Sequence, residues 1–365
     1  MENLRAVQAV AGASVETLAV VKANGYGHDA ALVARVLVGA GVRWLGVSDV
    51  EEGARVRAEV GSEPRVLVMC GMEVCDCREL IAHDLTPVVW TVEQVAALEA
   101  VGERVQVHLE IDTGMARQGV DLDGLGQVAE RLAESKSVVC EGVMSHLSSA
   151  ENVGSEVTFE QRTKFVRAME VVVEHGLRPQ WVHLGNTSAV DEGSTMSWVR
   201  EAAEGIGARA MVRTGLALYG HCLPLDTGLA GELAERVRPV LTWKTRVIGV
   251  REIRAGATVG YGATFVAKSL MRLALLPAGY ADGWRRAGSS GVGDGWVRIA
   301  GQRAAVVGRV SMNLTTVDVT HIAGVAVGDE VVLLGEGVSA EDHARWSGTI
   351  AYDILCGIRA KFRVM

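Results

Sequence analysis

Eight times in its first two thirds, the chain passes from a short run of β-forming apolar residues to a stretch with helical spacing. The apolar runs are "TLAVVK" (17–22), "WLGVS" (44–48), "VLVMC" (66–70), "TPVVW" (86–90), "VQVHLEI" (105–111), "VVCEGVMSH" (138–146), "WVHLG" (181–185) and "MVRTG" (211–215). Between them lie "HDAALVARVLVGAG" (28–41), "TVEQVAALEAVG" (91–102), "LGQVAERLAES" (125–135) and "FEQRTKFVRAMEVVVEHG" (159–176), whose apolar positions recur at helical intervals. A chain that leaves each strand through a helix re-enters the sheet in the same direction, so the strands must be parallel. Eight such units in roughly 220 residues match a closed (β/α)8 barrel. The opening "MENLRAVQAVAG" reads as the first barrel helix.

After about residue 235 the texture becomes glycine-punctuated and β-rich, as in "VLTWKTRVIGVREI", "WVRIAGQRAAVVGRVSM" and "DEVVLLG". Only "SAEDHARWSGTIAYDILCGI" (339–358) reads as helical there, with Ser339 as its N-cap. The expected fold class is therefore α/β: an N-terminal (β/α)8 TIM-type barrel over 1–234, followed by a mostly antiparallel β domain over 235–365.

With 365 residues and a formal charge of −8 spread over interspersed acids and bases, the chain has a large core and no clustered basic surface. That argues against nucleic-acid and membrane partners and for a small molecule. Glu2, Arg5 and Glu16 interrupt the first twenty residues, so no signal peptide is expected, and no later run has the length of a membrane span. A soluble, cytoplasmic protein is the expectation. The six cysteines are too sparse for a disulfide framework, and Cys70, Cys75 and Cys77 lack a fourth ligand at finger spacing, so reduced thiols and no metal are expected.

Active sites of such barrels form at the C-terminal strand ends. Lys22 ends the first run there, Arg117 follows the fifth and His146 ends the sixth. Asn186, Thr187 and Ser188 follow the seventh; Arg213, Gly215 and Leu216 follow the eighth in "VRTGLALYG". Lys22 at the end of a buried strand either snorkels to water or serves as a nucleophile. Hydroxyls and a glycine amide in the last two loops suit a phosphate. A lysine facing an anion cradle across one mouth suggests an aldehyde cofactor held as a Schiff base and anchored by phosphate, which describes pyridoxal phosphate.

In order along the chain, "AVVKANGYGHDA", "HLEIDTGMARQGV", "HLGNTSA", "VRTGLALYG", "VGYGATF", "PAGYADG", "GRVSMN" and "TIAYDILC" resemble the signature segments of the alanine racemase family. The resemblance implies a pyridoxal-phosphate barrel with a β domain, working as a head-to-tail homodimer in which each site is completed by the partner's β domain. It makes Lys22 the residue that holds the cofactor and one catalytic base, with Tyr261 of the other chain as the opposite base. It places Tyr26, Thr187, Gly215, Leu216 and Tyr352 at the phosphate, beside Asn186, and Arg213 at the pyridine nitrogen. Arg117 and Met312 would contact the substrate carboxylate, and Tyr280 would line the entrance. A phenol titrates near 10, so ionising one at neutral pH costs roughly 4 kcal/mol. The family offsets this through hydrogen bonds that here would link Tyr261, His146 and Arg213.

The chain departs from the family's pattern in several places. Glu110 replaces a lysine, often carbamylated, that holds the substrate-binding arginine, so a direct Glu110–Arg117 pair is expected. Asn313 in "SMN" replaces an aspartate, and Thr187 replaces a serine but keeps the hydroxyl. The chain begins at a barrel helix where relatives begin with a strand, which implies a shortened start. The tail "GIRAKFRVM" keeps only part of the usual ending. Racemisation of alanine is the implied activity. The rivals are a racemase for serine or a broader set, a non-catalytic barrel that carries pyridoxal phosphate, and a decarboxylase of the same fold type. The β domain with "VGYGATF" argues against the bare-barrel carrier, and the decarboxylase needs no tyrosine base.

Overall fold

The computed structural model describes residues 1–360. They fall into two compact units, the first running from Met1 to Arg238 and the second beginning at Pro239.

In the first unit the eight apolar runs form eight parallel strands: β1 (Glu16–Val20), β2 (Trp44–Val47), β3 (Arg65–Val68), β4 (Thr86–Val89), β5 (Val105–Glu110), β6 (Val138–Met144), β7 (Trp181–His183) and β8 (Arg209–Thr214). Each pairs with the next, and β8 pairs with β1 in the register Leu18↔Arg213, so the barrel closes. It is a TIM-type barrel. Leu18, Leu45, Leu67, Leu109 and Val143 have no exposed surface, because strands covered on both faces need apolar side chains throughout. The expected helical segments form Ala30–Gly39, Val92–Val101, Leu122–Glu134 and Glu156–Glu174, and the opening segment forms Glu2–Ala11. Thr91 and Gln94 form a capping box at one of these helix starts, and Asp121 caps another.

Arg57, on helix Val50–Val60, shows how the N-terminal ends of two barrel strands are held. It is buried, and its guanidinium donates to the carbonyls of His83 (3.0 Å), Gly61 (2.8 Å), Pro64 (2.7 Å) and Asp84 (2.6 Å). These carbonyls precede β3 and β4, so one planar donor ties down the entry loops of two strands.

The second unit contains β9 (Trp243–Arg246), β10 (Gly249–Ile253), β11 (Thr258–Val259), β12 (Phe265–Val266), β13 (Met271–Leu276), β14 (Trp296–Ile299), β15 (Gln302–Ala305), β16 (Thr315–Asp318) and β17 (Glu330–Leu334). They pair antiparallel as β10-β13-β16, β11-β12 and β15-β14-β17-β9. The one expected helix is two, Ala340–Ser347 and Ala351–Gly357, broken where Gly348 turns left-handed at φ 63°. Ser339 caps the first, accepting from the Asp342 N–H at 3.1 Å. No helix among the described residues is long and apolar enough to cross a membrane.

Candidate active site

Strand β1 ends at Val20, two residues before Lys22, so Lys22 does not sit in the strand as the sequence suggested. It opens a left-handed turn instead: Ala23, Asn24, Gly25, Tyr26 and Gly27 all have φ between 52° and 80°. For an L-residue this costs on the order of 1–2 kcal/mol. The surroundings offset it. The Gly25 N–H donates to Val21 O (2.7 Å) and the Gly27 N–H to Ala23 O (3.1 Å). Glu52 accepts from the Asn24 N–H at 3.0 Å and from the Ser48 hydroxyl at 2.6 Å. Asn24 Oδ1 accepts in turn from the Ala30 N–H, which starts the next helix. The turn leaves Lys22 half-buried and folds the buried Tyr26 back across the rim to the end of β8. Any side chain at Gly215 would overlap the Tyr26 hydroxyl, so this approach requires glycine.

Thr187 and Gly215 begin the two segments beyond β7 and β8. Asn186 caps helix Thr187–Glu192, accepting from the Ala189 N–H at 3.0 Å. The buried Thr187 hydroxyl lies 3.2 Å from that of Thr214 and accepts from the Ala217 N–H at 3.4 Å. Helical geometry gives the first N–H groups of Thr187–Glu192 and of the short turn Leu216–Tyr219 no partner within their own segments. Tyr26, Thr187, Gly215 and Leu216 are thus assembled around hydroxyl and N–H donors.

Arg213, at the end of β8, is buried, and both of its terminal nitrogens are engaged. Its Nη1 donates to His183 O (2.9 Å) and faces His183 Nδ1 at 3.1 Å; its Nη2 donates to Ser145 O (2.7 Å) and faces His146 Nδ1 at 2.9 Å. Burial lowers its pKa to about 10, against the opposing pull of Glu110, so it remains a cation at neutral pH. His146 lies two residues beyond β6 rather than at its end. Burial, then the charges of Arg213, Arg117 and Lys22, drive its pKa down to about 2, so the ring is neutral.

The expected Glu110–Arg117 pair does not form: among the described residues, no ion pair joins them. The buried Glu110 carboxylate accepts from Gln118 Nε2, which also donates to Met69 O at 2.8 Å. Arg117, one residue earlier, lies exposed on the loop and acts on Glu110 only through its charge. Desolvation raises the Glu110 pKa, while the Gln118 bond and the Arg213 and Arg117 charges work against that rise. Gln161 was not foreseen either. Buried on helix Glu156–Glu174, it donates to His146 O (2.8 Å) and accepts from the Ser148 N–H (2.9 Å), pinning the loop after β6. A glutamine on a helix carries no sequence signal for so distant a partner.

The remaining expected residues belong to the second unit. Tyr261 is at the tip of the β11–β12 hairpin and 67% exposed. Tyr280 and Met312 lie on two loops joined by backbone bonds, from the Tyr280 N–H to Ser311 O (3.1 Å) and from the Ala281 N–H to Met312 O (2.9 Å). Both side chains are exposed. Asn313 donates to Asp282 at 3.3 Å. Tyr352 is half-buried on helix Ala351–Gly357. Residues 361–365 of the altered tail lie outside the described residues.

His108, His146 and His183 are all held below the usual imidazole value, mainly by burial. A group with a depressed folded-state pKa binds its proton more readily when unfolded, so stability is complete above about pH 6.5 and is lost below it. The expected loss approaches about 1.4 kcal/mol per pH unit for each histidine. The thermal unfolding midpoint should therefore drop steeply from about pH 6.5 to about pH 5, and a level midpoint across that range would contradict this account.

The profile "Alanine racemase, N-terminal domain" matches residues 1–222, and "Alanine racemase, C-terminal domain" matches 240–365. The alanine racemase of Symbiobacterium thermophilum is 36% identical, with 98% of this chain and 91% of the relative covered. That of Syntrophobacter fumaroxidans is 35% identical, with 95% and 89% covered. Among solved structures, the alanine racemase of Streptomyces coelicolor superposes with a TM-score of 0.88 at 29% identity, covering 98% and 93% of the two chains. That of D-cycloserine-producing Streptomyces lavendulae gives 0.86 at 32%, covering 98% and 91%. Profiles that span both units, and relatives matched over nearly their whole length, place the chain in the alanine racemase family.

Proposed function

We propose that the protein interconverts L- and D-alanine with pyridoxal phosphate. The observation that carries this reading is the meeting on one barrel rim of the Lys22 amine, the Tyr26–Thr187–Gly215–Leu216 cradle and the buried cation Arg213. The donor set fits the cofactor: an amine for the aldehyde carbon, hydroxyl and N–H donors for the phosphate, and an N–H donor for the ring nitrogen. When bound, the cofactor acts as an electron sink that lets the substrate's α-proton leave.

The chain's own residues supply the rest. Lys22 Nζ holds the cofactor and moves the α-proton on one face. Tyr261 of a second copy moves it on the opposite face, because inversion needs one base on each side. Its exposure at a hairpin tip, with Tyr280 and Met312 also exposed, supports a role in which these side chains are covered by another copy. Arg213 would donate an N–H toward the ring nitrogen, and a cation held there would disfavour protonation of that nitrogen and so limit side reactions. It also holds His146 neutral, with Nε2–H free to bond the tyrosine. Arg117 supplies positive charge for the substrate carboxylate, and Glu110 steadies that loop through Gln118. The expected assembly is a homodimer with shared sites, and the expected compartment is the cytoplasm.

Deuterium exchange at Cα across a panel of D- and L-amino acids tests this. Alanine should exchange fastest from both enantiomers. Faster exchange of serine would move the assignment to a serine racemase, and exchange of no amino acid would overturn the reading.

A further inference from the structure

Below the rim, a line of polar side chains crosses a barrel interior that apolar residues ordinarily fill. Arg213 Nη1 lies 3.1 Å from His183 Nδ1, and His183 Nε2 lies 2.8 Å from His108 Nδ1. His108 Nε2 then faces Glu141 Oε2 at 3.8 Å and has no hydrogen-bond partner among the described residues. Arg65 grips both oxygens of Glu141, at 3.0 and 2.8 Å, and also donates to the Thr86 hydroxyl at 2.8 Å. Both histidines are fully buried, and Glu141 is nearly so. The His108 ring fits only because position 142 is glycine: a Cβ there would stand 2.7 Å from it.

This line admits one proton order. A guanidinium only donates, so His183 Nδ1 must be bare and its Nε2 must carry the proton. That N–H points at His108 Nδ1, which must also be bare, so the His108 proton sits on Nε2 and faces the carboxylate. The reverse order would set N–H against N–H at Arg213 and a lone pair against an anion at Glu141. Both ends oppose it, and burial keeps both rings neutral.

We propose that Glu141, clamped by Arg65, is a remote positioning residue: through His108 and His183 it holds the proton order that keeps the Arg213 guanidinium aimed at the rim. The functional part of this inference rests on the racemase reading above, which gives Arg213 its place at the cofactor ring; the proton order does not.

The test is ring-15N histidine NMR on the holoenzyme, with signals assigned from single-histidine variants, alongside kcat, KM and the visible spectrum. Wild type should show His108 and His183 as Nε2–H tautomers. In Glu141→Gln the anion that opposes the reverse order is gone and the amide N–H can donate to a bare His108 Nε2, so that order is opposed only at Arg213, and turning Nη1 away from His183 Nδ1 relieves it. The two rings should then show mixed tautomers, the visible band should shift, and kcat should fall about tenfold or more with KM for alanine little changed. Arg65→Met/Glu141→Met removes the pair without leaving a lone buried charge and should give the same mixing and the same loss; it also serves if the single variant does not fold. Unchanged tautomers with unchanged kcat in a folded variant would overturn the proposal. So would a double variant with wild-type kcat, because the single variant's defect would then come from an unpaired Arg65. If wild type fails to exchange alanine Cα protons yet shows the ordered tautomers, the racemase reading fails and the proton order stands.

Discussion

Lys22→Ala should abolish the visible absorbance of bound cofactor and lower alanine turnover by about four orders of magnitude. Lys22 enters a left-handed turn whose backbone bonds fix its Cα, and it shares one rim with Arg213 and the Tyr26–Gly215 contact. Alanine at position 22 needs no change in that turn, because the left-handed backbone begins only at Ala23 and position 22 has an ordinary negative φ. The variant should therefore fold, with a far-ultraviolet spectrum like that of wild type, and the loss should be chemical. A variant that keeps a borohydride-reducible visible band would remove Lys22 from the role assigned to it.

Tyr261→Phe should have the second largest effect, and an asymmetric one. Removing the hydroxyl should slow proton removal from one enantiomer by about 10²–10⁴-fold and the other far less. Because Tyr261 stands exposed at the β11–β12 tip, the substitution removes no packing within its own unit. If the tyrosine acts in another copy's barrel, two inactive variants can repair one another. A hybrid of Lys22→Ala and Tyr261→Phe chains has one site with both residues intact, so random reassortment of equal amounts should restore about a quarter of wild-type activity. A mixture no more active than its parents would contradict the shared site, as would a fully active monomer.

Periodicity made much of the architecture legible, because burial on both faces forces apolar runs and covering helices force a 3.6-residue repeat. All eight runs became strands, and Ser339 caps the helix it was expected to cap. Strand ends were less legible. Nothing in "VVKANGYG" separates a strand that reaches Lys22 from one that stops at Val20, since the left-handed turn depends on Glu52, Ser48 and Ala30. The Glu110–Arg117 expectation failed for a related reason. Charge complementarity says which groups attract, not which one the backbone aims inward, and here the neighbouring Gln118 reaches the carboxylate.

The sequence alone determined the barrel, the second β-rich unit and the residue types gathered at the strand ends, because hydrophobic period and turn chemistry are local and are written in consecutive positions. The tertiary structure alone decided that Tyr26 folds back onto Gly215, that Gln161 pins the His146 loop, and that His108, His183 and Glu141 line up behind Arg213. Those contacts join residues from five strands or the segments that follow them, and barrel closure brings them within a few ångströms where no sequence spacing records the approach.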